Sequence, residues 1–174
     1  PRISPTPKHN ALAGGMAEIA RYCGMAAAYC SQRLWSEEAG DRDAPADILE
    51  EGVAIDVTIR GGPYSKFIAA EKQKEQKYAH HRMVDSSFVF LPAVISTTGD
   101  IGSQWCEHLK IWGTRLAAQR AAEGQSIDQP HNDVRGAFGY LFSVVSATQA
   151  FAWADANNRK RSRNSTTPEL QIHG

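Results

Sequence analysis

A chain of 174 residues, 42% of them hydrophobic, can build one domain around a real core without disulfides or a structural metal. Its three cysteines, Cys23, Cys30 and Cys106, form no CxxC pair and are odd in number, which argues against a secreted disulfide framework and for a reducing compartment. No signal-peptide pattern and no apolar run of about eighteen residues is present, so no membrane partner is expected.

In chain order, Pro1 to Lys8 is polar, carries three prolines and reads as a connector. From Asn10, a plausible cap, the alanine-rich stretch to Tyr29 has helical composition, with a break expected near Gly24. Ser36 to Pro45 reads as a loop. Ala46 to Leu49 and Val53 to Ile59 read as two strands joined at Glu50-Glu51-Gly52. In the second, Val53, Ile55, Val57 and Ile59 share one face, so Asp56 points away from the main aliphatic face. Ser65 begins a helix to about Met83. Phe88 to Ile95 is a strand that Pro92 restricts to an edge, a bulge or a short length. Gln104 to Ala122 and His131 to Ala156 are helices, the second with Val134, Phe138, Leu141, Val145 and Ala152 along one stripe. Asn157 onward reads as a polar, disordered tail. The expected fold is α/β, a mixed β-sheet flanked by helices, with the domain spanning residues 9–156.

Formal net charge is zero, which by itself argues little for a nucleic-acid partner, but the charges are segregated. Between Glu37 and Asp56, eight acids face one base, Arg42. From Arg60 to Arg82 the balance reverses, with Lys66, Lys72, Lys74 and Lys77 among the bases. An acidic metal pocket beside a basic rim of Arg60, Lys66, Lys72 and Arg82 fits this pattern, as do two ordinary solvated faces.

Phosphodiester hydrolysis needs a cation that polarises the phosphoryl group and acidifies the attacking water. Two carboxylates delivered by neighbouring strands, Asp47 and Asp56, could hold one, and oxygen ligands favour magnesium or manganese. On the helix that follows, Phe67, Glu71, Lys74 and Tyr78 have the spacing of a buried face. Charges there cost free energy unless they meet a polar site. The alternative buries Ile68 and Ala69 and leaves Glu71 and Lys74 as an exposed helical ion pair.

Four strings occur in the order of a known group: Ala44-Pro45-Ala46-Asp47-Ile48-Leu49, Ala54-Ile55-Asp56-Val57-Thr58-Ile59, the segment Ala70 to Tyr78, and Phe90 to Gly99. Together they resemble the PD-(D/E)XK restriction-like endonuclease domain of site-specific non-LTR retrotransposon reverse transcriptases, over roughly residues 9 to 155. His9-Asn10 and Glu37-Glu38 resemble that group's opening helix and the acid before its first metal-binding strand.

The resemblance implies a restriction-endonuclease-like core. Asp47 and Asp56 would bind Mg2+ or Mn2+, with Glu37 or Glu71 as a further ligand. Thr58 stands where the parent motif has lysine. In the retroelement branch that lysine moves to the following helix, as Lys74 or Lys77, with Tyr78 beside it. The implied partners are DNA and, within a longer polypeptide, RNA and a reverse-transcriptase domain, in a nuclear, intracellular location. Thr58 also leaves room for a catalytically inactive module of the same fold that binds DNA or protein. A zinc site at His80, His81, Cys106 and His108 lacks paired spacing, and these residues are expected on helix surfaces. Gly99-Asp100-Ile101-Gly102 is no phosphate loop but a helix-capping turn able to line a substrate groove. Trp105 and Trp112, seven apart on one helical face, are expected in the core.

Overall fold

A computed structural model describes residues 7–29, 46–63, 65–84 and 89–165. Its elements are α1 (Pro7–Tyr22), β1 (Ala27–Tyr29), β2 (Ile48–Glu50), β3 (Val53–Arg60), α2 (Ser65–Val84), β4 (Val89–Ser96), α3 (Ser103–Ala122) and α4 (Pro130–Ser165). The fold is α/β. Its four-stranded mixed sheet has the order β1-β2-β3-β4, with β1 and β2 antiparallel to their neighbours and β4 parallel to β3. No helix among the described residues is long and apolar enough to cross a membrane.

Alternation along β3 separates two layers. Ile55 and Val57 enter the main core, where Leu12 and Met16 of α1, Trp105 and Trp112 of α3, and Phe138 of α4 surround them. Ala54, Asp56 and Thr58 take the opposite parity, on the sheet face that α2 covers through Phe67 and Ala70 against Val94. The α2 stripe containing Phe67, Glu71 and Lys74 is therefore the inward one, whereas Ile68 and Ala69 are exposed.

Several boundaries differ from expectation. The first helix starts at Pro7, so Pro7 and Lys8 are helical and Asn10 lies inside the helix rather than capping it. It ends before Gly24, where Gly24 N–H bonds Arg21 O and Met25 N–H bonds Ala20 O, a left-handed glycine termination that frees residues 27–29 to pair with β2. Pro92 sits within an eight-residue β4 at the sheet edge, where its missing donor is tolerated. The last helix runs to Ser165, nine positions beyond Ala156: Arg159 to Arg163 are mostly good helix formers and no glycine or proline intervenes.

Two polar residues lie in the core where the sequence reading put them outside it. Glu50, expected in the turn, pairs with Val53 and is 2% exposed; His108, expected on a helix surface, is 6% exposed. Glu50 accepts hydrogen bonds from His108 Nε2 and from Trp112 Nε1, the latter at 2.9 Å to Oε2. The carboxylate thus fastens the end of β2 to α3. A signal was present in both elements: Glu50 shares a strand face with Ile48, and His108 lies between the two core tryptophans on one helical stripe. Replacing Glu50 by alanine leaves two buried donors without their acceptor, and denaturant titration is expected to show a loss of about 3 kcal/mol; a loss within error would show that the network does not hold the hairpin.

Candidate functional site

The candidate site forms where β3 outruns β2. The ladder continues one bond past β2, from Asp47 N–H to Ile55 O at 2.8 Å. Beyond it, among the described residues, the Val57 amide has no strand partner on that side. Two side chains meet it instead: Asp47 Oδ2 accepts from Val57 N–H at 2.7 Å, and His9 Nε2 donates to Val57 O at 2.9 Å. His9 Nε2 also lies 3.2 Å from Asp47 Oδ2. The histidine comes from α1, so side chains from α1 and from the start of the hairpin converge on the two backbone groups of Val57.

One residue earlier in β3, Asp56 faces α2 and is 7% exposed. Its Oδ2 lies 2.6 Å from Lys74 Nζ and accepts from Thr58 Oγ1 at 3.1 Å. Lys74, two and a half turns into α2, sends its stem along the sheet and keeps its ammonium partly accessible at 21% side-chain exposure. Thr58 contributes a neutral donor to the same carboxylate oxygen.

Glu71, one turn before Lys74 on the same face, is 4% exposed but engages a different element. It accepts hydrogen bonds from Ser103 Oγ and from Gln104 N–H, both at 3.3 Å, so its charge meets the positive end of α3. A Cβ on Gly102 would collide with its Oε1, so a larger residue before α3 would displace that carboxylate from this position. This is the structural role of Glu71, which the sequence offered as a metal ligand. Among the described residues no three His, Cys, Asp or Glu side chains cluster as a metal cage.

Glu37 lies outside the described residues, and so do the side chains of Lys77, Tyr78, His80, His81 and Arg82, although α2 includes these five positions. Arg60, Lys66 and Lys72 are exposed, with Arg60 at the end of β3 beside Gln73. Gly99, Asp100 and Ile101 line an open cleft of about 790 Å³ beyond the carboxyl ends of the parallel strands β3 and β4, floored by Phe67 and Phe138. Ser96, Thr98 and Asp100 brace that loop through mutual hydrogen bonds, which hold the Asp100 carboxyl below the usual carboxylate range.

No family model, curated protein or solved structure matches this chain.

His9 is the site residue the sequence undervalued, because a lone histidine near the start of a helix carries no sign of its partner. The hydrogen bond to Asp47 raises its pKa from 6.5 to about 9, with burial opposing and the Asp47 charge and Val57 carbonyl assisting. The imidazolium is therefore the folded-state species at neutral pH. A raised folded-state pKa gives stability that is fully present below pH 6.5 and is lost as pH rises through about 9. In metal-free buffer the denaturation midpoint of the parent should fall across that window relative to His9→Gln, and parallel profiles would refute the contact.

Proposed function

We propose that the chain is a divalent-metal-dependent DNA endonuclease domain of PD-(D/E)XK type, part of a retroelement reverse-transcriptase polypeptide. The observation that carries this reading is the Lys74–Asp56 pair: a helix lysine lands 2.6 Å from a strand carboxylate on an otherwise covered sheet face. Burying such a pair only to stabilise a fold is seldom rewarding, since apolar residues of similar volume do as well or better. A nuclease of this type needs that carboxylate and that cation side by side.

The donor set suits the ion. Magnesium retains several waters and is commonly held by one or two carboxylates together with substrate phosphate, so a cage of three protein acids is not required. Asp47 and Asp56 are the residues that would hold Mg2+ or Mn2+. When bound, the ion polarises the phosphodiester and makes a water acidic enough to attack. His9 and Val57 N–H orient the Asp47 carboxylate, and Thr58 orients that of Asp56. Lys74 places a positive charge where negative charge grows on the phosphate. Arg60, Lys66 and Lys72 supply the basic surface for the DNA backbone.

A catalytically inactive module that binds DNA or protein is the second reading, favoured by one observation: Asp47 Oδ2 already serves Val57 N–H and His9. Cleavage assays in Mg2+ and Mn2+ separate the two. Asp56→Asn should abolish nicking at unchanged fold, and Lys74→Met should lower turnover by about a hundredfold or more with little change in DNA affinity. Lys77→Met should show mainly a salt-sensitive loss of binding. If the parent binds DNA but cleaves none with either ion, the module is the better account; if only Lys77→Met loses turnover, the catalytic lysine is Lys77.

A further inference from the structure

The cleft beyond the carboxyl ends of β3 and β4 is lined by neither Asp47 nor Asp56. In open α/β sheets that end is where ligands settle, because the loops diverge there and leave a crevice. Here each core contributes one phenylalanine to the floor: Phe67 belongs to the cluster under α2, and Phe138 to the main core. Gly62 and Pro63 after β3 and Gly139 on α4 keep the walls bare of large side chains. The loop between them is braced from within, since Ser96 and Thr98 both donate to Asp100 Oδ2 and Gly99 lies against Phe142. At about 790 Å³ the cleft has the size of a small-molecule site.

Its charges are not balanced. The acids of the lining already have partners: Glu107 pairs with Lys110 at 2.6 Å, and Asp100 holds the two hydroxyls. The bases do not. Arg135 lines the α4 wall, and Lys66 lies against Gly62, its Nζ 3.3 Å from where a Cβ there would stand. Both are exposed, and among the described residues neither is paired with a carboxylate. A fitting ligand therefore carries an anionic group for two cations, an apolar body for the floor, and a donor for the remaining lone pairs of Asp100. An unpaired nucleotide has all three. A base inside a duplex does not, because its faces are stacked and its edge is paired.

We propose that the cleft receives one unpaired nucleotide of a DNA strand, its phosphate between Lys66 and Arg135 and its base over Phe67 and Phe138, with Asp100 accepting from a base N–H. The choice of DNA as the source rests on the nuclease reading. Position supports it: Arg60, the last residue of β3, is four residues past Asp56, about 13 Å along the strand. That distance spans about four nucleotides of one DNA strand, so a strand with a phosphate at Asp56 reaches the cleft.

Binding of the full chain in EDTA to a labelled duplex, and to the same duplex bearing one unpaired nucleotide, tests this without cleavage. The parent should bind the second about tenfold more tightly. Gly139→Leu should erase the preference: a Cβ there meets no neighbouring atom within 4 Å, so the new side chain narrows the cleft without disturbing packing, and leucine favours the helix. Gly136→Leu, equally unobstructed but outside the lining, should keep it. Lys66→Met and Arg135→Met should each lower the salt slope of binding by about 0.7 to 0.9, the value of one phosphate contact. Equal affinity of the parent for the two DNAs, or a preference that survives Gly139→Leu, would overturn the proposal. So would competition by a free deoxynucleoside monophosphate without any preference between the DNAs, which would give the cleft to a free nucleotide. Cleavage assays in Mg2+ and Mn2+ separate the two readings. A parent that shows the preference but cuts nothing loses the nuclease reading and keeps the cleft; a cutting parent without the preference loses only the cleft.

Discussion

A carboxylate in the middle of a sheet, under a helix, keeps its charge only if another group compensates for the water it has lost, and Asp56 meets that condition through Lys74. Much of the fold's arrangement serves the meeting. The parallel pairing of β3 and β4 requires a crossover, α2 is that crossover, and its inward stripe is set by Phe67 and Ala70 against Val94. Once those apolar residues are seated, Lys74 is carried to the face on which Asp56 lies.

Two buried acids and one half-buried one divide the joining of the elements among distinct tasks. Glu50 joins the hairpin to α3, Glu71 joins α2 to the start of α3, and Asp47 closes the uncovered edge of β3 with help from α1. The two glutamate contacts cross between elements 33 and 62 residues apart in sequence. They lock the sheet to its helices at points where apolar packing alone would permit sliding, because hydrogen bonds to a charged oxygen are short, directional and costly to break.

The same geometry separates an anchoring set of acids from a candidate chemical set. Glu71 and Glu50 direct their carboxylates at helix donors and core rings, whereas Asp47 and Asp56 sit on or beside one stretch of β3 that β2 no longer covers. The uncovered edge is thus the place where the fold leaves polar groups to be satisfied by something other than the sheet. Beside it, the basic residues at the end of β3 and along α2 provide the opposite charge.

Much was readable from local pattern. The order of the elements from β2 onward, the parity of Asp56 away from the main aliphatic face of β3 and the core placement of Trp105 and Trp112 follow from periodicities of two and 3.6 residues, and the edge position is one of the three that proline's missing donor left open to Pro92. The inward direction of Glu71 and Lys74 was one of two readings that periodicity allowed. Only tertiary packing selected it, by seating Phe67 and Ala70 rather than Ile68 and Ala69 against the sheet. Packing alone also revealed His9 against Asp47, Glu50 against His108 and Trp112, and Glu71 at the head of α3. The sequence by itself determined which faces were apolar, because that depends on near neighbours in the chain; which charge met which was decided by the tertiary structure, because those partners lie tens of residues apart and meet only when the layers close.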